Sequence, residues 1–193
     1  MRAGARTVPT DAASERRRKF DTLFTTELRY VCGTLRRLGV QERDVEDVAH
    51  EVFVRIFNKI DTFDVSRPAR PWMLAFAYRA ASEYRRLARH RREESTGSEG
   101  RLERAAHATE PPEPTTTDDR AVVEEALAAV PLDRRVVLVA FEVDELPMKE
   151  IAEGLGIPLA TAYSRLRHAR QDFGAAVHRA RLRRQEAHER TGR

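Results

Sequence analysis

Polar side chains that could read a nucleic acid recur at helical spacing within residues 146–173, LPMKEIAEGLGIPLATAYSRLRHARQDF. Residues three and four positions apart share one face of a helix. The stretch is predicted to form two helices joined by a tight turn. In the second of them, the side chains opposite the apolar stripe are Ser164, Arg167, His168 and Gln171. The side chains on the flanks of that face are Tyr163, Arg165 and Arg170. This pattern favours hydrogen bonds to base edges in a DNA major groove, with the flanking groups on phosphates. An ordinary solvated surface hairpin fits the spacing equally well.

A second candidate surface lies on a predicted helix over residues 43–60. Opposite its apolar stripe are Asp47, Glu51, Val54 and Asn58. An apolar residue between two carboxylates predicts a contact with a basic, partly apolar partner. The alternative is that Val54 is one of the isolated apolar residues common on protein surfaces.

The third candidate surface combines aromatic rings with arginines. Phe63 and Trp72 bracket a predicted loop over residues 61–71 that also contains Arg67 and Arg70. The helix that follows carries further cations, among them Arg79 and Arg86. Rings for stacking beside cations for phosphates are typical of sites that bind single-stranded nucleic acid. Phe63 and Trp72 could instead fill the core of a small domain, and for Trp72 both interpretations stay open.

The chemistry of an enzyme or a metal site is not evident. Asp47 and His50 stand three residues apart, as in the carboxylate–histidine pairs of di-metal bundles, but such sites need a second pair and the sequence offers none. No nucleophile with a plausible base and no Gly-rich phosphate loop appears. We therefore expect a protein that is not an enzyme and has neither cofactor nor bound metal.

The elements that must position these residues are all predicted to be helices. Apolar residues keep helical spacing from Phe20 to Leu38, where Gly39 ends the element. Similar stripes run over residues 43–60, 72–92, 122–130 and 132–145. In the last pair of helices Gly156 suits a left-handed cap, and Pro158 suits the first turn of the next helix. The predicted fold class is all-α, with two small helical domains.

Composition divides the chain into five predicted segments. Residues 1–17 form a disordered tail, 18–93 a first domain, 94–117 a flexible linker rich in Pro, Ser and Thr, 118–175 a second domain, and 176–193 a fraying basic tail. The net charge is only +4, yet arginines and acidic residues occupy separate stretches, which predicts one anionic and one basic partner. The single Cys32 fits a reducing compartment, and no apolar run predicts membrane insertion. We expect a cytoplasmic protein.

Two stretches together resemble the small extracytoplasmic-function (ECF) group of bacterial sigma factors. DVEDVAHEVFVRIFNKIDTF followed by PWMLAFAYRAASEYRR is similar to sigma region 2, and ELPMKEIAEGLGIPLATAYSRLRHAR is similar to region 4. The resemblance covers residues 20–92 and 121–173. The chain has no room in its linker for the extra domain of primary sigma factors.

The resemblance implies a role for each candidate surface. The face with Asp47, Glu51, Val54 and Asn58 would bind core RNA polymerase. The loop with Phe63, Arg67, Arg70 and Trp72 would capture a base of the −10 element, and Arg79 and Arg86 would hold the opened strand. The face with Ser164, Arg167, His168 and Gln171 would read base edges of the −35 element in promoter DNA, with Tyr163, Arg165 and Arg170 on phosphates. An anti-sigma factor is a further candidate partner.

The chain departs from the family pattern at several of these positions. His50 stands where glutamine is common, Arg79 where asparagine is common, and Tyr163 where a basic residue is usual. The common Gly-Thr-Val at the start of the recognition helix is Ala160-Thr161-Ala162. These changes leave the promoter sequence open. A helix-turn-helix regulator that works without polymerase is the alternative, but it leaves the second and third surfaces unexplained.

Overall fold

The computed structural model describes residues 11–96 and 116–191, which fold entirely into helices and the turns between them. The α-helices are α1 (Asp11–Arg37), α2 (Val45–Lys59), α3 (Ala69–Thr96), α4 (Thr116–Ala129), α5 (Leu132–Glu142), α6 (Met148–Leu155) and α7 (Leu159–Thr191). Short 3-10 turns at Glu42–Asp44 and Ile60–Thr62 flank α2. The predicted all-α class is confirmed.

Helices α1, α2 and α3 form a bundle around side chains such as Leu35, Val52, Ile56 and Met73, all without exposed surface. Their apolar stripes meet because each recurs at three and four residues. Gly39 ends the first stretch with φ at +95°, a conformation that side chains with a Cβ avoid. This confirms the predicted end of the first element.

Helices α5, α6 and α7 form the predicted helix-turn-helix and its support. Gly156 caps α6 in the left-handed conformation, with φ at +66° and ψ at +37°. The N–H of Ile157 then donates to the carbonyl of Ala152 at 3.0 Å, which satisfies an otherwise unpaired helix-end acceptor. The inner faces of α6 and α7 are buried, at Ile151 in α6 and at Ala162 and Leu166 in α7.

Both predicted tails are shorter than expected. Helix α1 already begins at Asp11, and Arg16 anchors this part by stacking over the Phe57 ring at 4.8 Å and donating to the Phe57 carbonyl at 2.8 Å. Helix α7 runs on to Thr191 and does not fray after residue 175. Its small residues Ala176 and Ala180 are buried where α4 packs along it. Residues 1–10, most of the predicted linker (97–115) and 192–193 lie outside the described residues.

Some apolar residues of the predicted helical stripes are exposed. Phe57, Leu87 and Leu159 are 36%, 51% and 45% exposed. Phe57 lies at the edge of the α2 stripe, where Arg16 covers part of its ring. Leu87 follows Ala81, the last buried residue described in α3, so this end of the helix projects beyond the bundle. Helical periodicity continues past the point where packing partners end.

The two halves of the chain pack against one another. The N-terminal part of α3 lies against α6, and one continuous set of buried apolar residues joins the three-helix bundle to the helix-turn-helix. The sequence pattern, which predicts two domains joined by a linker, did not indicate this contact. Within the described ranges, no helix is both long and apolar enough to cross a membrane.

Candidate nucleic-acid and polymerase interfaces

Helix α7 brings together the polar face predicted to read base edges. Arg167 and Gln171 are exposed, while Ser164 and His168 are half-buried. Ala162, Leu166 and Ala169 are buried on the opposite side against the rest of the helix-turn-helix. The spacing argument therefore places the hydrogen-bonding groups on the open side of this helix, as expected.

The flanking arginines already have carboxylate partners. Arg170 donates from Nε to Glu142 at 2.7 Å and lies 5.8 Å from the centre of the Phe141 ring. Arg165 pairs with Asp133 at 3.6 Å. Tyr163 is 55% exposed. A phosphate that bound either arginine would have to compete with a carboxylate, whereas Arg167 makes no ion pair in the part of the chain that the structure describes.

A buried arginine holds the turn that supports this motif. Arg135 is 2% exposed, and its guanidinium donates to the carbonyls of Val130 and Ala128. Burial lowers the pKa of Arg135 to about 10, with a smaller contribution from nearby Arg85. The group therefore stays charged at neutral pH. Sequence reasoning missed it because an arginine in an apolar helix predicts a solvated side chain.

The acidic face of α2 is open to solvent. Asp47, Glu51, Val54 and Asn58 are all exposed, and Val54 is 47% exposed at its centre. Arg55 lies beside the face, 3.7 Å from Glu51 and 2.6 Å from Glu83 of α3. The structure thus brings the four predicted residues together around an accessible apolar side chain.

The loop between α2 and α3 has a defined shape. Asp64 accepts hydrogen bonds from the Ser66 amide at 2.9 Å and the Ser66 hydroxyl at 2.7 Å, and these bonds lower the pKa of the Asp64 carboxyl. The half-buried Trp72 ring lies 5.0 Å from Phe63 and 4.9 Å from Phe76. Trp72 therefore packs on the bundle while its ring also lines the cleft beside this loop.

The arginines around this loop differ in their partners. Arg67 donates to Glu153 of α6 at 2.5 Å, which lowers the pKa of the Glu153 carboxyl. Arg70 donates to Glu27 at 2.9 Å and stacks 5.0 Å from the centre of the Tyr30 ring. Arg79 and Arg86 are exposed and make no ion pair among the described residues.

Residues of the second half close one side of this loop. Glu150, Glu153 and Gly154 of α6 line the same cleft as Phe63 and Trp72. Sequence reasoning missed this contribution. The one available signal was Gly154, a glycine inside a short helix where alanine would be more stable. No group of three potential metal ligands exists within residues 11–96 and 116–191, and His50 is exposed.

Comparison with known proteins gives a consistent assignment. The sigma-70 region 2 family model matches residues 23–92, and the sigma-70 region 4 model matches residues 120–173. The ECF sigma factor SigL of Mycobacterium tuberculosis is 31% identical over 69% of this chain and 74% of its own. The sigma factor CnrH of Cupriavidus metallidurans is 28% identical over 89% of this chain and 93% of its own.

A solved structure has the same fold. The sigma factor RpoE from Bartonella quintana, in complex with the anti-sigma factor NepR, superposes with a TM-score of 0.63 at 16% identity, over 83% of this chain and 97% of that one. Both family models fall on the halves that carry the candidate surfaces. The chain belongs to the extracytoplasmic-function group of the sigma-70 family of RNA polymerase sigma factors.

Proposed function

We propose that this chain binds core RNA polymerase through the acidic face of α2 and directs it to specific promoters. The observation that carries the proposal is the accessible Val54 among Asp47, Glu51 and Asn58, on the same chain as a helix-turn-helix. A regulator that acts without polymerase has no use for this face. The proposed partner would also place its action in the cytoplasm.

Promoter reading would use two separate surfaces. The α7 face with Ser164, Arg167, His168 and Gln171 would enter the major groove of the −35 element, since a helix fits that groove. Tyr163, Arg165 and Arg170 would approach the phosphates after the two arginines leave their carboxylate partners. The order of the two surfaces along the chain matches the family's regions 2 and 4.

The −10 element would be opened and held by the first half. Phe63, Trp72, Arg67 and Arg70 would take the separated strand at the loop, and Arg79 and Arg86 would carry it along α3. Stacking and phosphate contacts together are what single-stranded DNA requires. An anti-sigma factor is a further proposed partner, because RpoE from Bartonella quintana has been solved with one.

Run-off transcription tests the proposal directly. Core polymerase would be supplied with a template that carries the promoter region of this chain's own gene, with and without the chain. We expect a discrete transcript only when both are present. If the chain binds duplex DNA but neither binds core polymerase nor supports a transcript, it is a helix-turn-helix regulator instead.

A further inference from the structure

Helix α6 and the start of α3 approach more closely than two side chains would allow. A Cβ placed on Gly154 would lie 2.1 Å from the carbonyl oxygen of Pro71 and 3.0 Å from its carbonyl carbon. Both atoms belong to the backbone, and Pro71 is buried, so they cannot rotate out of the way as a flexible side chain can. Only glycine fits at this position of α6 while the halves are in contact.

The helix-turn-helix itself gives no reason for this glycine. A glycine inside a helix destabilises it relative to alanine because the unfolded chain has more conformational freedom to lose. The left-handed cap that the motif needs is supplied by Gly156, where a Cβ would meet no other atom within 4 Å. Gly154 is therefore explained by the contact with Pro71 and not by the turn.

Oppositely charged groups also face one another across the contact between the two halves. The Glu153 carboxylate accepts a hydrogen bond from Arg67 of the loop at 2.5 Å. Asp144, in the turn before α6, faces Arg37 of α1 at 3.4 Å, and its side chain is only 5% exposed. Two separate carboxylates of the second half thus meet arginines of the first half.

The contact closes one side of the loop that would take single-stranded DNA, while residues 64–68 of the loop stay exposed. Phe63, Trp72 and Arg67 line a cleft whose other wall is formed by Glu150, Glu153 and Gly154. A DNA strand and α6 cannot both occupy the space beside Trp72. In addition, the carboxylate of Glu153 accepts a hydrogen bond from Nη2 of Arg67, so a phosphate at that group would have to displace it.

We propose that the chain holds itself in a closed form, in which α6 forms one wall of the cleft beside Phe63 and Trp72, and that the single-stranded −10 DNA competes with α6 for this cleft and with Glu153 for Arg67. The part of the proposal that concerns DNA rests on the function proposed above. The closed form itself does not, because it is a contact within one chain. Opening of the Gly154–Pro71 contact then becomes a required step before strand capture.

The fluorescence of Trp72 tests the closed form without polymerase or DNA. Trp72 is the single tryptophan of the chain and lies in the cleft. Gly154→Ala in the full chain should separate α6 from Pro71, and we expect the acrylamide quenching constant of Trp72 to rise about twofold as the open population grows. The matched control is Gly174→Ala, also inside a helix but with nothing within 4 Å. An unchanged constant in Gly154→Ala, or an equal rise in both variants, overturns the proposal.

A charge exchange provides a second test should Gly154→Ala fail to fold. Arg67→Glu alone should increase quenching because it places two carboxylates together. The double variant Arg67→Glu with Glu153→Arg should return the quenching constant to that of the original chain, since the pair is restored with its ends exchanged. Failure of the double variant to restore it contradicts the role of this pair in closing the cleft.

The consequence for DNA is measured separately. A fluorescein-labelled pool of randomised single-stranded oligonucleotides should bind Gly154→Ala about threefold more tightly than the original chain, because apparent affinity scales with the open fraction. If quenching rises and affinity for this pool does not, the closed form stands and the proposed role of the loop in binding the −10 strand is wrong. If affinity rises with no change in quenching, the closed form is wrong.

Discussion

The candidate surfaces fall into two groups that differ in accessibility. The acidic face of α2 and the polar face of α7 are open, with Val54 47% exposed and Arg167 making no ion pair among the described residues. The loop around Phe63 and Trp72 instead faces α6, and its Arg67 is paired with Glu153. Under the proposed function, polymerase and duplex DNA would reach the two open faces without any movement of α6, whereas capture of a single strand at the loop would require it. The difference suggests an order of events in which strand capture comes last.

The largest effect is expected at the open face of α2. Val54→Asp places a third carboxylate at the centre of the contact and should weaken binding to core polymerase by more than about 30-fold, as for a buried residue at the centre of an interface. Binding can be measured by fluorescence anisotropy. Val123→Asp on α4 is the matched control, because Val123 is 44% exposed. Equal affinities for the two variants would refute the assignment of this face.

A smaller effect, confined to certain base pairs, is expected at the open face of α7. Arg167→Ala should cost about 1–3 kcal/mol of discrimination where Arg167 makes a bidentate contact with guanine. Selection from a randomised promoter library would show relaxed preference at that position. Uniformly weaker binding with an unchanged preference would instead mean that Arg167 contacts only the backbone.

Arg170 provides the contrast on the same helix. Because Arg170 already pairs with Glu142 at 2.6 Å, Arg170→Ala should reduce the salt dependence of DNA binding by less than the value of about one released counterion for a free phosphate contact. Glu142→Gln should strengthen binding to all sequences by releasing the arginine. If Arg170→Ala leaves the salt dependence of the original chain unchanged, the pair with Glu142 persists on DNA and Arg170 contacts no phosphate.

Strand opening should depend on the unpaired arginines of α3. Arg79→Ala and Arg86→Ala should each slow open-complex formation severalfold at linear promoters, while a premelted bubble should rescue much of the loss because the cost of unpairing has already been met. Permanganate footprinting reports the opened bases. If the premelted bubble gives no rescue, these arginines contribute to the overall affinity for DNA and not to strand opening.

The smallest effect concerns Asp144 at the contact between the halves. Burial raises the pKa of its carboxyl, and Arg37 and Arg70 only partly oppose that rise. The folded chain therefore holds this proton more tightly than the unfolded chain. The resulting stability is fully present below the ordinary pKa near 3.8, and it is lost as pH rises through the folded pKa.

Asp144→Asn removes a net unfavourable charge at neutral pH, so its Tm at pH 7 should be higher, by about 2–4 °C for each kcal/mol gained. Thermal unfolding followed by circular dichroism measures this shift. Asp21→Asn serves as the control, since the Asp21 side chain is 59% exposed. A lower Tm for Asp144→Asn would mean that the ion pair with Arg37 outweighs the cost of burial.

Local sequence patterns predicted the features that depend on a single helix and its end. The left-handed Gly156, the end of α1 at Gly39 and the shared faces of α2 and α7 follow from spacing and backbone freedom alone. The contact between Gly154 and Pro71 could not be predicted in this way, because it joins residues far apart in sequence. The sequence did not predict that α7 continues as a helix beyond residue 175, because the many arginines there indicated a solvated tail. The residues that pack against α4 are the small Ala176 and Ala180.

The length of α7 has a mechanical consequence. Its 33 residues form a rod about 50 Å long at 1.5 Å per residue. One end of this rod carries the polar face, and α4 packs along its other half, where Arg183 pairs with Glu125. Because the helix is continuous, a tilt at the end that carries the polar face would also move the half that packs against α4. If α7 binds DNA as proposed, its seating in a groove would therefore shift α4 relative to the three-helix bundle.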